Sequence, residues 1–231
     1  MHQLRHFRLC PFSRSIRILL SEVDIEVELI EEQPFNLQPE FLALNPAGEL
    51  PVLLLNKGPT LCGAYSISEF MAEELRRKPT ASKLMACFPG NREERAEVRR
   101  LVDWFFRKLE REVSQDLLFE KVLARIEPGT KHSPNVELLR SLSANLRYHM
   151  SYISYLAQGR KWLAGEDLSF ADIAGAAQLS VIDYLGEVPW DDYPFAKDWY
   201  ARFKSRPSMR SVLSDKLPGI APPPHYTNLD F

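Results

Sequence analysis

Cysteine is scarce in this chain, and so are long apolar runs. The 231 residues include 3 cysteines and no Cys-x-x-Cys pair, a pattern that argues against a disulfide framework or a structural zinc site. The apolar runs, such as residues 51–55, fall far short of the roughly 20 residues that cross a bilayer. The first residues also lack the basic-then-apolar layout of a signal peptide. We therefore expect a cytoplasmic protein with no metal site and no membrane partner.

An excess of one charge is also missing. Lysine and arginine number 29, aspartate and glutamate 31, and the five histidines are scattered. A nearly neutral chain has no basic surface to attract nucleic acid, so no nucleic-acid partner is expected. With 45% hydrophobic residues the chain can build ordinary globular cores.

The first 78 residues combine strand and helix patterns. A short strand pattern precedes an apolar helical spacing in which Ser13 or Ser15 is available as the N-cap. Alternation at residues 25–29 and an apolar run at residues 51–55 predict further strands. Ser66 and the glutamate three residues later match a capping box, which predicts a helix over about 66–77. The order βαβ then ββα is typical of a thioredoxin-like domain.

From residue 79 onward the pattern is helical. We divide the rest of the chain into a linker at 79–90, an all-helical domain at 91–214 and a proline-rich C-terminal extension at 215–231. Apolar stripes at helical spacing predict two long helices, around residues 98–113 and 138–156, and a last helix spans 194–205. Ser169 and Asp172 form a cap, which predicts that a central apolar helix follows. The predicted fold class is α/β plus all-α.

Cys10 stands where the first strand pattern gives way to a helix. The positive end of a helix dipole and its free amides favour a thiolate, which would make Cys10 reactive. The alternative is a small, partly buried residue at a strand end. Ser13 occupies the position of a resolving cysteine, which excludes a dithiol oxidoreductase.

Four motifs resemble the glutathione transferase fold, over roughly residues 1–214. They are the CPFS turn at 10–13, the LPVL segment at 50–53, the LSFADI cap at 168–173 and the RPS turn at 206–208. The resemblance implies an N-terminal thioredoxin-like domain and a C-terminal helical bundle. It also implies that Cys10 faces a substrate thiol and that Pro51 is cis. On this interpretation Leu50 or Val52 pairs with the cysteinyl part of the tripeptide.

The chain departs from that family at Gly63 and Ala64. There glutathione transferases carry an acid or amide and a serine, which hold the γ-glutamyl group. Neither Gly63 nor Ala64 has a side-chain donor or acceptor, so about 2 to 4 kcal/mol of ligand interaction is missing, a loss of about 30- to 1000-fold. Ser66 is placed to help, although capping its own helix is the simpler role. The sequence argues against glutathione binding, and no cofactor is expected. We interpret the site as a vestigial glutathione cleft, formed by Cys10, Leu50, Pro51, Val52, Gly63, Ala64 and Ser66.

The C-terminal extension concentrates apolar anchors after a triple proline at residues 222–224. A polyproline II segment is extended and keeps the adjoining residues exposed, so the extension fits a short docking motif. Two alternatives stay open: a frayed terminus, or an extension that folds back and builds a composite groove with the body. The residues concerned are His225, Tyr226, Thr227, Asn228, Leu229, Asp230 and Phe231.

With this extension the chain resembles the FtsZ-localised protein A family of alphaproteobacteria. The resemblance implies a non-enzymatic homodimer at the division site that binds FtsZ filaments and regulates cell division and constriction. It places the contact surface on residues 225–231 and the former substrate cleft, including Phe35. The alternative is a cysteine-type glutathione transferase or glutathionyl lyase, with Cys10 as nucleophile and Ser13 as a supporting hydroxyl. Calorimetry with glutathione would distinguish the two hypotheses.

Overall fold

The N-terminal domain is built on a mixed sheet of four strands. The structure, a computed structural model, describes residues 1–77, 87–127, 129 and 132–229. The strands are β1 (His2–His6), β2 (Val27–Glu31), β3 (Val52–Leu54) and β4 (Thr60–Cys62), in the spatial order β2-β1-β3-β4. Strand β1 runs parallel to β2 and antiparallel to β3, which is antiparallel to β4. This is the thioredoxin-like arrangement, and the prediction of that domain is confirmed.

The first helix is capped by Cys10, which precedes both serines that were predicted as its N-cap. Helices α1 (Pro11–Glu22), α2 (Pro39–Leu44) and α3 (Ala64–Arg77) complete the domain. Cys10 is the N-cap of α1, and its Sγ accepts a 3.4 Å hydrogen bond from the Ser13 amide. Pro11 suits the first helical position because its fixed φ is already helical. The N-cap prediction for Ser13 or Ser15 was therefore wrong, and both side chains are buried inside α1.

Helix α3 also begins earlier than predicted. Gly63 has φ +84°, a left-handed conformation that glycine adopts at little cost, and it turns the chain directly from β4 into α3. Ser66 is therefore already inside the helix, and its hydroxyl contacts the carbonyls of Cys62 and Gly63. Glu69 pairs with Arg99 at 2.7 Å. The predicted capping box at Ser66 was wrong.

The described secondary structure after residue 90 is helical, apart from two isolated β-bridges. A continuous helical segment, residues 92–126, runs through α4 (Arg92–Asp103), α5 (Gln115–Leu118) and α6 (Ala124–Ile126), which are separated by π-helical turns. It is followed by α7 (Val136–Gly159), α8 (Phe170–Tyr184), α9 (Pro194–Lys204) and α10 (Arg210–Leu213). The two long helices and the last helix are confirmed. Residues 79–86 of the predicted linker lie outside the described residues.

Helix α8 is the centre of the molecule. All 15 of its residues are buried, and it packs against α1 of the N-terminal domain. The predicted cap is confirmed: Ser169 and Asp172 form a capping box. Gly175 lets the Phe105 ring approach, since a Cβ there would lie 3.0 Å from that ring. One core therefore joins the two domains.

The described ranges contain neither a candidate membrane span nor a candidate metal cluster. In that part of the chain no helix has both the length and the apolarity to cross a membrane. Over the same residues, His, Cys, Asp and Glu side chains do not gather in groups of three or more that could hold a metal ion.

Candidate functional site

A cleft of about 830 Å³ lies between the two domains. Helix α1, the loop before β3 and the start of α3 form one wall, and the helical segment 92–126 forms the other. Of the residues predicted to form a vestigial glutathione cleft, the structure brings these to its lining: Cys10, Leu50, Gly63, Ala64 and Ser66. The other two, Pro51 and Val52, are buried.

Cys10 is a neutral thiol in this environment. Burial raises its pKa to about 11, against the opposing effect of hydrogen bonds at Ser13. The nearby Glu110 carboxylate adds to the rise. The helix end does supply an amide, as predicted, but desolvation of the charged sulfur outweighs it. Of the two interpretations of Cys10, the structure favours the small, partly buried residue over the thiolate, and at neutral pH its sulfur is a poor nucleophile.

Alkylation of Cys10 by iodoacetamide should therefore be slow at neutral pH. Its rate should rise with pH until about 11, because the reactive thiolate accumulates only as pH approaches the pKa. At pH 8 we expect a rate on the order of a hundredfold below that of free cysteine. Peptide mass spectrometry over time at several pH values measures it, with Cys10→Ser identifying the modified peptide. A rate that levels off below pH 9 would contradict the neutral thiol.

The Leu50–Pro51 bond is cis, as the resemblance implied. Val52 lies inside the sheet, paired with Arg5 and Cys62. Leu50 lines the cleft instead. Of the two residues predicted to pair with a peptide ligand, Leu50 is the one placed to do so.

The start of α3 presents no charged or amide side chain to the cleft. Gly63 and Ala64 occupy the wall, and the Ser66 hydroxyl is turned to the backbone of its own helix, 3.0 Å from the Gly63 carbonyl. The charged residues of the lining are Glu49 and Glu110, and none of the described lining residues is basic. Glutathione carries carboxylates, so these walls do not complement it.

The C-terminal extension folds back onto the body at Tyr226. This side chain is fully buried, and its hydroxyl accepts a 3.0 Å bond from Arg14 and donates to the Val212 carbonyl at 3.3 Å. His225 pairs with the buried Asp183 at 3.0 Å. Folding back was one of the three alternatives. The assignment of Tyr226 to a partner-contacting surface is corrected, because its side chain is enclosed by the core.

The tip of the extension, residues 227–229, is exposed. The exposed fraction of Leu229 is 44%, and Asp230 and Phe231 lie outside the described residues. His225 and Asn228 line a separate hollow of about 470 Å³ beside Trp190. The lining of the interdomain cleft includes no described residue of the extension. Over residues 215–229 the extension therefore forms no composite groove with the cleft, and the described part of the predicted contact surface consists of two separate regions.

Phe35, the remaining predicted contact, lies in the turn after β2. Its side chain is half-buried, and its neighbour Pro34 lines the cleft. Sequence reasoning missed two residues, Arg14 and Glu110. A signal for Glu110 was present, because it stands four residues after Phe106 and therefore shares its helix face.

Comparison with known proteins agrees with the fold and the extension. Residues 4–79 match the family described as glutathione S-transferase, N-terminal domain, and residues 124–207 match its C-terminal domain. FtsZ-localized protein A of Caulobacter vibrioides is 42% identical, over 99% of this chain and 97% of that protein.

Solved structures are similar to this chain over its full length. FzlA from C. crescentus superposes with a TM-score of 0.91 at 41% identity, covering 100% of this chain and 99% of that one. A glutathione S-transferase from Rhodospirillum rubrum F11 gives 0.92 at 43% identity, with 100% of both chains covered. The chain belongs to the glutathione S-transferase family and, within it, to the group of FtsZ-localized protein A.

Proposed function

We propose that this protein is a non-enzymatic, dimeric member of the family that binds FtsZ filaments at the cytoplasmic division site and regulates constriction. The observation that carries the proposal is the full-length similarity to FtsZ-localized protein A, which extends through the C-terminal extension. The contact surface is the exposed tip of that extension together with the interdomain cleft.

The chemistry of the cleft supports a non-enzymatic role. A cysteine-type transferase needs a thiolate and a means of holding glutathione. Here the Cys10 pKa is raised to about 11, and Gly63 and Ala64 offer no side-chain contact to a γ-glutamyl group. The supporting hydroxyl of that alternative belongs to Ser13, which is fully buried and accepts a 3.3 Å bond from the Phe7 amide. These features favour a binding protein over the enzyme.

An aromatic surface on the helical domain supports self-association. Tyr148 is 57% exposed and Tyr155 72% exposed, both on α7. Trp104 stacks against Tyr148 at 6.2 Å, and the Lys108 ammonium lies over both rings. Exposed apolar patches of this kind mark protein interaction sites. We place the dimer contact on this surface.

Leu229→Ala should weaken co-sedimentation with FtsZ filaments about tenfold, because it removes the large apolar side chain of the exposed tip. Truncation after Thr227 should weaken it further. Both changes leave Tyr226 in the core, whereas deletion of residues 217–231 would remove a buried side chain and confuse lost binding with lost folding.

Leu29→Ala is the matched control. Leu29 is a leucine on β2 with nearly the same exposure, 43% against 44%, so its variant should bind filaments as the unchanged protein does. Normal co-sedimentation of the protein truncated after Thr227 would refute the role of the tip. An equal loss of co-sedimentation in the Leu29 variant would show that the effect is not specific to the tip.

A further inference from the structure

The interdomain cleft is an apolar cavity with an acid in its wall. The rings of Phe12 and Phe106 lie 5.0 Å apart, one from each domain. Together with Phe7, Leu118 and Leu123 they make the lining largely apolar. At about 830 Å³ the cavity is in the size range of sites for small organic ligands.

Glu110 is held at this wall by a buried amide. Gln178 is fully buried, and its Nε2 donates to Glu110 Oε2 at 2.9 Å and to the Phe105 carbonyl at 3.1 Å. A carbonyl only accepts, so the amide cannot be turned the other way. The Ser114 hydroxyl satisfies the amide oxygen at 2.6 Å. The Glu110 carboxyl therefore has a fixed position.

That carboxyl has no basic partner in the described part of the chain, where no Lys, Arg or His side chain forms an ion pair with it. Burial raises the pKa of Glu110 to about 7, with the Gln178 bond acting in the opposite direction. An isolated carboxylate is costly in apolar surroundings, and a cation beside it offsets that cost. The wall thus disfavours a second anion and favours a cation.

We propose that the cleft binds an organic cation, a protonated amine carried on an aromatic body, with Glu110 as its counterion and Phe12 and Phe106 as its apolar contacts. Electron-rich ring faces also attract cations, which reinforces the preference. The cleft is also part of the proposed FtsZ contact surface, but the cation site is argued from the lining residues of the cleft and is tested without FtsZ, so it does not rest on that function.

The other titratable groups of the lining are Glu49, Cys10, Cys62 and Tyr65. Burial raises the pKa of Cys10, Cys62 and Tyr65, so these three stay neutral between pH 6 and 8. Glu49 is exposed. Among the described residues that line the cleft, Glu110 is therefore the partly buried carboxyl whose ionisation changes in this interval, and a cation should bind more tightly as pH rises through about 7.

Calorimetry with three indole compounds of nearly equal size tests the proposal on the full chain: tryptamine, tryptophol and indole-3-propionate. The first is a cation, the second neutral and the third an anion at pH 8. We expect tryptamine to bind at least about tenfold more tightly than the other two. Its affinity should fall about tenfold at pH 6, where Glu110 is mostly protonated.

Glu110→Gln should remove the preference for tryptamine and its pH dependence, while tryptophol binding stays within about twofold. Glu73→Gln, at an exposed position of α3, is the matched control and should change neither. Equal binding of the amine and the alcohol to the unchanged protein would overturn the proposal, as would no detectable amine binding. The comparison of pH 6 with pH 8 needs no variant, so it stands even if Glu110→Gln fails to fold.

Discussion

Arg14→Met is expected to lower the free energy of unfolding by about 3 kcal/mol or more and to loosen the C-terminal extension. The Arg14 side chain is fully buried. Its Nε donates to the Arg8 carbonyl at 2.7 Å, and its Nη1 donates to Ser180 at 2.9 Å and to Tyr226 at 3.0 Å. Methionine fills part of the volume but donates to none of these oxygens. Several charge-assisted bonds are therefore lost together.

Urea unfolding measures the stability, and limited proteolysis of the extension measures its release. Arg210→Met is the matched control, because Arg210 is exposed on α10, and it should change stability by less than about 0.5 kcal/mol. In the Arg14 variant Asp215 still pairs with Arg17, at 2.8 Å. The loss of stability is therefore not caused by a carboxylate left without a cation. An Arg14 variant as stable as the control would show that the buried guanidinium does not anchor the extension.

Asp172→Ala is expected to cost about 3 to 5 kcal/mol of stability. The fully buried carboxylate caps α8, and its Oδ1 accepts bonds from the Leu163 amide at 2.8 Å and the Trp199 indole at 3.0 Å. Its Oδ2 accepts from the Ser169 amide at 3.0 Å. Alanine removes the Asp172 half of the capping box and leaves buried donors without an acceptor, and each such donor costs about 1 to 3 kcal/mol.

Thermal and urea unfolding would measure this loss. Asp198→Ala, at an exposed position of α9, should leave the free energy of unfolding nearly unchanged. Asp172→Asn should lower it by an intermediate amount, because asparagine keeps one acceptor oxygen. A small effect of Asp172→Ala would mean that α8 is held in place by apolar packing alone.

Much of the architecture follows from local patterns in the sequence. The alternation at residues 25–29 gives β2, and the apolar stripes of the two long helices are read directly from their spacing. The cap at Ser169 and Asp172 was predicted because its residues are adjacent in sequence and its chemistry is local. The predicted starts of α1 and α3 were a few residues too late, because Pro11 and the left-handed Gly63 set these starts rather than the nearest serines.

The site was predicted less completely, because its chemistry depends on burial and on distant partners. The change from a strand pattern to a helix pattern placed Cys10 at a helix start, but the local sequence did not show that desolvation would raise the pKa of its thiol. Arg14 lies in a helix that sequence reasoning treated only as an apolar stripe, and its partner Tyr226 is far away along the chain. The anchoring of the extension depends on that long-range pair. The structure was therefore needed to decide whether the extension is an exposed docking motif, a frayed terminus or a segment that folds back onto the body.

The buried position of Tyr226 also limits how far the tip can move. Leu229 stands three residues beyond that fixed point, and an extended chain spans at most about 3.6 Å per residue, so Leu229 stays within about 11 Å of its anchor. A partner that binds this tip orders only a few residues and loses correspondingly little conformational entropy. Residues 227–229 therefore form a short tether, which under the proposed function would hold Leu229 close to one face of the helical domain when a filament binds.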